Sequence, residues 1–273
     1  EGAPGLASAV ATAPVDRLTP HVRRWLNARG WPLRIAGMAA CGRHAADPGV
    51  HLATLLADPV AAVRTAAAHL AGALGRGDAV ALLRPLLDDP APEVRFAAAS
   101  VLAATAEGRK AAAEVLRALA AARDVEPSLA ERALDWAVAA SAPEELRDWV
   151  RSLWSAPATA ALAVRAAGVN WDAGSWPWLI ECMQAPGTAA AATGAAEDML
   201  GLEAAEGALF TADPRRLGPA LAALTDGGAD PLADPAAFAR ALADGRLTPD
   251  ADPEDLSQRA RGLRRLRAQL SAG

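Results

Sequence analysis

A chain of 273 residues with a formal charge of −5 leaves room for one or two globular domains, or for one solenoid. It is 52% hydrophobic but only 4% aromatic, tyrosine is absent and β-branched runs are scarce, so the core must be built from Ala, Leu and Val and the expected class is all-α. With 32 acidic residues against 27 basic ones, and Lys110 the single lysine, nucleic acid is not an expected partner, because that affinity rests on neutralising phosphates.

Residues 1–17 are rich in Ala, Gly and Pro without a period, and are expected to be a poorly ordered lead-in. Helical spacing starts at Leu18 and runs to about Ala28. Pro32 to Gly37 has the character of a degenerate repeat start, with Arg34 lying 30 residues before Arg64. Val60 to Leu74 is a clear helix, ended by Gly75-Arg76-Gly77. Asp78 to Leu87 follows, with a kink expected at Pro85, and then Glu93 to Thr105. Further pairs are Arg109–Ala122 with Ser128–Ala140, and Pro143–Trp154 with Ala158–Gly168. Another pair starts at Ser175, runs through Met183, turns at Pro186 and continues to about Leu200. The pattern then fades. Thr211 to Ala233 has linker composition, a short helix is expected from Pro235 to Ala243, and a last one from Asp252 to Leu270. In that last helix the acids stand at the start, and Arg264, Arg265 and Arg267 stand near the end, as the helix dipole favours. The expected organisation is a lead-in at 1–17, an α-solenoid at 18–203, and a linker with capping helices at 204–273.

One spacing recurs along the second helices. Asp58-Pro59 precedes Arg64, Asp89-Pro90 precedes Arg95, and Glu126-Pro127 precedes Arg132, each acid six residues before its arginine. The first two copies lie 31 residues apart and the third follows after 37, the period of a repeat of helix pairs. These six residues are expected to be a structural ladder, in which each guanidinium ties a turn carboxylate and the carbonyls at helix ends. At the fourth and fifth turns, Ala156 and Ala185 stand where the acid would be.

These motifs resemble HEAT repeats, including the HEAT-like repeats of phycobilisome lyases. The runs Leu33 to Gly37, Ala46-Asp47-Pro48-Gly49, Val94 to Ala99, Arg165-Ala166-Ala167-Gly168 and Trp176 to Glu181 are similar to an uncharacterised bacterial HEAT-repeat family often encoded beside type VI secretion genes. The resemblance covers roughly Leu18 to Glu203. It implies a superhelix of helix pairs whose second helices line a concave wall, with His69, Phe96, Ser100 and Trp136 as candidate contacts on it. It also implies a place in a type VI secretion-related assembly.

Six of the eight tryptophans, Trp136 to Trp178, crowd into 43 residues. Trp171 and Trp176 flank Asp172-Ala173-Gly174-Ser175, an expected loop, and are candidates for protein binding because aromatic rings dominate interface energetics. Cys41 and Cys182 match no metal spacing and are expected to be small buried hydrophobes; His44 and His51 lack a cysteine pair. No catalytic constellation, phosphate loop or cofactor motif is present, so no enzyme, metal or cofactor is expected. No uninterrupted apolar run of membrane-spanning length occurs, and no basic stretch followed by an apolar core suggests a signal peptide.

The expected function is a non-enzymatic scaffold or adaptor in the cytoplasm. Its expected partner is a protein, a secretion-system component or effector. An immunity or chaperone protein that binds a secreted toxin is an alternative. Two enzymatic alternatives follow from the resemblance alone, a HEAT-like DNA glycosylase and a phycobilin-lyase-like enzyme. The acidic balance opposes the first, and no tetrapyrrole-binding motif supports the second. Oligomeric state has no signature in the sequence.

Overall fold

Short turns between helices with one apolar face leave each helix a partner close at hand, its neighbour in sequence. The computed structural model describes residues 15–170, 172–200, 234–243, 265–266 and 268–270, and every regular element among them is helical. The elements are α1 (Val15–Leu26), α2 (Trp31–Arg43), α3 (His51–Leu56), α4 (Ala61–Ala73), α5 (Ala79–Leu83), α6 (Pro92–Ala103), α7 (Arg109–Ala121) and α8 (Pro127–Ala140). After them come α9 (Pro143–Trp154), α10 (Ala160–Asn170), α11 (Trp176–Met183), α12 (Ala189–Leu200) and α13 (Pro235–Ala243). Residues 1–14 of the expected lead-in, and most of the 204–273 tail, lie outside the described residues.

Contacts divide the chain after Ala140 into two compact units, inside the span that sequence patterning treats as one domain. In the first unit α1 packs on α2, α3 on α4 and α7 on α8, while a five-residue α5 continues as a 3-10 turn, Arg84–Asp88, against α6. Pro85 explains that change of pitch, because it lacks an N–H and its ring crowds the preceding turn. The six-residue α3, too short to show a period, completes the pair with α4. The second helices also touch one another in a row: α2 on α4, α4 on α6, and α6 on α8. In the second unit α9 pairs with α10 and α11 with α12, α10 packs on α12, and α13 packs on α11.

Alanine sets the spacing of these rows. Ala67, Ala68 and Ala71 of α4, Ala97 to Ala99 of α6, and Ala163, Ala166 and Ala167 of α10 are all buried. Small side chains let helix backbones approach, and they form helices readily. At Gly168 the approach is very close: a Cβ placed there would sit 2.5 Å from Cα of Ala195 on α12. A methyl group at this point has no room unless the two helices move apart.

Arginines fix one pair of the first unit to the next. Arg64 donates through Nη1 to the carbonyls of Asp58 and Pro59, 2.8 and 3.3 Å away, in its own turn. The other edge of the same guanidinium makes two bonds to Asp89 in the following turn, Nε to Oδ2 at 2.7 Å and Nη2 to Oδ1 at 2.8 Å. Arg34 repeats the pattern one pair earlier. Its Nη1 holds Ala28 and Arg29 carbonyls at 2.7 and 2.9 Å, and its Nη2 lies 3.0 Å from Asp58 Oδ1. Asp58 and Asp89 each also accept a backbone N–H two residues on, from Val60 and Ala91, both at 2.9 Å. The Arg64 and Asp89 side chains are 14% and 8% exposed, so water competes little for these bonds.

The second unit closes its turns differently. Thr159 Oγ1 donates to the carbonyl of Leu153 at 2.6 Å, and Thr188 Oγ1 to that of Cys182 at 2.8 Å. These are the turns where Ala156-Pro157 and Ala185-Pro186 replace Asp–Pro. Here a hydroxyl two residues after proline satisfies a carbonyl at the end of the preceding helix, whereas the arginines of the first unit serve the carbonyls of the Asp–Pro turn itself.

Removing one partner of a buried, charge-assisted bond leaves the other unsatisfied, so Arg64→Ala should lower unfolding free energy by about 1–3 kcal/mol in urea titrations at pH 7. Burial pushes the Asp89 carboxyl up, but the bonds from Arg64 and Ala91 and the charges of Arg64 and Arg95 outweigh it and hold the group below its ordinary range. A depressed carboxyl adds stability above its unfolded pKa and loses it as pH falls through its folded one. Wild type should therefore lose stability below about pH 4, and Asp89→Asn should be less stable at pH 7 with a flatter decline between pH 4 and pH 2.

Candidate functional site

The second helices of the first unit bring three candidate residues to one place. His69 stands on α4, Phe96 on α6 and Trp136 on α8. Phe96 and Trp136 meet edge to face, ring centroids 6.5 Å apart at 87°. Arg132, one turn before Trp136, lays its guanidinium carbon 4.8 Å from the Phe96 ring centre. Partial burial of its inner edge and the repelling charge of Arg132 both lower the pKa of His69, although much of the side chain remains exposed. The ring is thus neutral at pH 7, able to donate from one nitrogen and accept at the other.

Only part of this cluster faces outward. His69 and Arg132 are exposed and Trp136 is half-buried. Phe96 is 6% exposed, so the expectation of a direct protein contact there is corrected: the ring supports Arg132 and Trp136 from beneath. Ser100 is buried too, its hydroxyl donating to the Ala97 carbonyl at 2.9 Å. That is a local helical bond.

The ladder forms at two of its three expected copies. Asp58, Arg64 and Asp89 form the cross-turn contacts described above, joined by Arg34. Arg95 keeps the bonds to its own turn, the Asp89 and Pro90 carbonyls at 2.8 and 3.2 Å. The pair Glu126 and Arg132 forms no such rung. Glu126 folds back to cap α8, accepting from the Ser128 hydroxyl and from the Leu129 N–H at 3.1 Å. Its extra methylene carries the carboxylate past the position that Asp58 and Asp89 occupy, and Arg132 turns to Phe96 instead.

In the second unit, Trp176 overturns the interface expectation. It is fully buried, with its ring 4.7 Å from that of Phe238 on α13, and it is core. Trp171 lies outside the described residues. The described tryptophan of this unit that is exposed is one that spacing did not single out. Trp154, at the end of α9, is 43% exposed and meets Trp178 of α11 edge to face, centroids 4.9 Å apart. Beside them lies a groove of about 270 Å³, floored by Leu146, Val150 and Ala167 and walled by Arg147, Asp172 and the two rings.

Cys41 and Cys182 are both buried and unpaired, as small hydrophobes would be. Burial raises both thiols, helped at Cys41 by the Asp47 charge and at Cys182 by that of Glu181. Such thiols carry little thiolate at neutral pH and are poor nucleophiles. No helix among the described residues is long and apolar enough to cross a membrane.

The chain matches the family of HEAT repeats over residues 50–135, which takes in α3 to α7 and most of α8. No curated protein gives a match.

The core ring Trp176 and the exposed ring Trp154 should separate cleanly on mutation. Trp176→Ala empties a packed site and should cost about 3–5 kcal/mol, seen as early melting. Trp154→Ala should melt close to wild type.

Proposed function

We propose that this chain is a non-enzymatic protein-binding scaffold acting in the cytoplasm. The observation that carries the reading is the HEAT-repeat match at 50–135, which falls on the helix pairs whose second helices present His69, Arg132 and Trp136 together. HEAT repeats commonly mediate protein interactions. A half-buried indole, fixed from below by Phe96 and flanked by a guanidinium and a neutral imidazole, has the mixed character of an interface hot spot. The finer assignment, an adaptor in a type VI secretion-related assembly, rests on the resemblance of Leu33 to Gly37, Val94 to Ala99 and Trp176 to Glu181. Within that assignment the partner is a secretion-system component or effector.

Affinity capture from native cells tests the reading. A protein should co-purify in a fixed ratio, and the double variant His69→Ala, Arg132→Ala should weaken its capture at least tenfold, about 1.4 kcal/mol, at an unchanged melting temperature. Capture that is indifferent to both residues would move the interface off this wall. Duplex DNA should show no submicromolar shift near physiological salt, since the chain carries 32 acids against 27 bases. Release of an altered base from alkylated DNA would replace the scaffold with a glycosylase.

A further inference from the structure

We infer that the groove beside Trp154 and Trp178 takes an extended protein segment in which an acidic side chain lies two or three residues from an aliphatic one. The inference rests on the protein-binding reading above and adds to it a second site with a defined ligand chemistry.

The aromatic end of the groove is preorganised. Trp178 packs against the buried cluster of Val164, Leu179, Cys182, Ala192 and Ala195. Its edge-to-face contact then holds the exposed Trp154 ring from behind. A large ring already fixed has little rotamer freedom left to lose on binding, which is what distinguishes an anchor from an ordinary exposed side chain. Val150 stands one turn before Trp154 on α9 and extends the apolar floor toward Arg147. An aliphatic side chain laid on this floor leaves water together with the Trp154 face.

Among the residues that line the groove, two guanidiniums, Arg147 and Arg151, stand against one carboxylate, Asp172. Arg147 uses Nε for the carbonyl of Pro143 in its own helix, at 3.2 Å, and its two terminal nitrogens have no carboxylate partner among the described residues. Arg151 pairs with Asp148 at 2.8 Å, but both side chains are more than 70% exposed, so water screens that pair. Asp172 keeps its negative charge, and its oxygens face donors of its own loop. Asp172 accepts from the Gly174 N–H at 3.0 Å and lies 3.5 Å from the Ser175 hydroxyl. A carboxylate arriving from outside therefore finds its donors at Arg147, where a forked guanidinium can hold both oxygens.

Geometry sets the spacing of the segment. Arg147 and Trp154 are seven residues apart on α9, roughly 10 Å along the axis at 1.5 Å per residue. An extended chain covers that distance in about three residues at roughly 3.3 Å each, and the length of the arginine side chain shortens the need to two.

The probe is the peptide acetyl-Glu-Glu-Ser-Leu-Leu-amide, titrated into the whole chain and followed by the NMR shifts of the Trp154 and Trp178 indole N–H groups, the second of which also reports on Trp154→Ala. Controls are acetyl-Lys-Lys-Ser-Leu-Leu-amide and acetyl-Glu-Glu-Ser-Ser-Ser-amide. The acidic-aliphatic peptide should bind at least tenfold more tightly than either control. Arg147→Glu and Trp154→Ala should each weaken it at least tenfold without lowering the melting temperature, and Arg147→Glu should reverse the preference toward the lysine peptide. Equal binding of the three peptides, no binding at all, or binding indifferent to both variants would overturn the inference. If the peptide fails while partner capture still depends on His69 and Arg132, this site falls and the scaffold stands. If no protein is captured through either surface, both fall.

Discussion

An arginine that holds two turns at once is the contact on which the first unit depends. Helix pairs built from alanine bury little surface each, so packing alone fixes the position of the next pair weakly. Short turns add to the difficulty, because they leave carbonyls at helix ends without partners. Arg64 answers both needs, giving one edge of its guanidinium to the carbonyls of Asp58 and Pro59 and the other to the carboxylate of Asp89. Arg34 and Asp58 do the same one pair earlier. The row of second helices, and any surface it presents, takes its alignment from these bonds.

The two surfaces arise from different parts of the helix pair. The cluster of His69, Phe96, Arg132 and Trp136 stands on second helices, and its rings are stacked from the inside outward, Phe96 buried and Trp136 half-buried. The groove of the second unit opens between first helices, α9 and α11, with α10 as part of its floor. Here the buried layer is the cluster around Val164 and Leu179, and Trp178 and then Trp154 build outward from it. In both places the outer aromatic ring, half-buried at Trp136 and exposed at Trp154, has another ring beneath it, and the rotamer is set before any partner arrives.

Much of this was legible in the sequence because it is local. Helix limits followed from apolar spacing, and the turns from Asp–Pro at a fixed interval before arginine. What was not legible depended on contacts that spacing does not encode. Trp176 sits beside a loop in sequence, but Phe238, 62 residues later and beyond any period, covers it. Glu126 matched the ladder by residue type, yet one methylene decided that it caps its own helix instead. The threonine ties did leave a trace, Ala-Pro-X-Thr at 156–159 and again at 185–188, but a search for acids before proline passes over it. Trp154 and Trp178 lie on different helices, and only the packing of α11 on the core of the second unit turns their edges together.

The forward contact also carries its own register. Arg34 finds its carboxylate 24 residues on, Arg64 finds its own 25 residues on, and each acid comes with the arginine that serves the next turn. A duplicated segment of one period would therefore arrive with both halves of the contact in place, accepting from the pair before it and donating to the pair after it. Such a chain can lengthen by tandem copying without any new residue being chosen at the junction. The threonine latch of the second unit lacks that property, since it joins a turn only to itself, and a copied pair there would need its seam with the neighbours made afresh by packing.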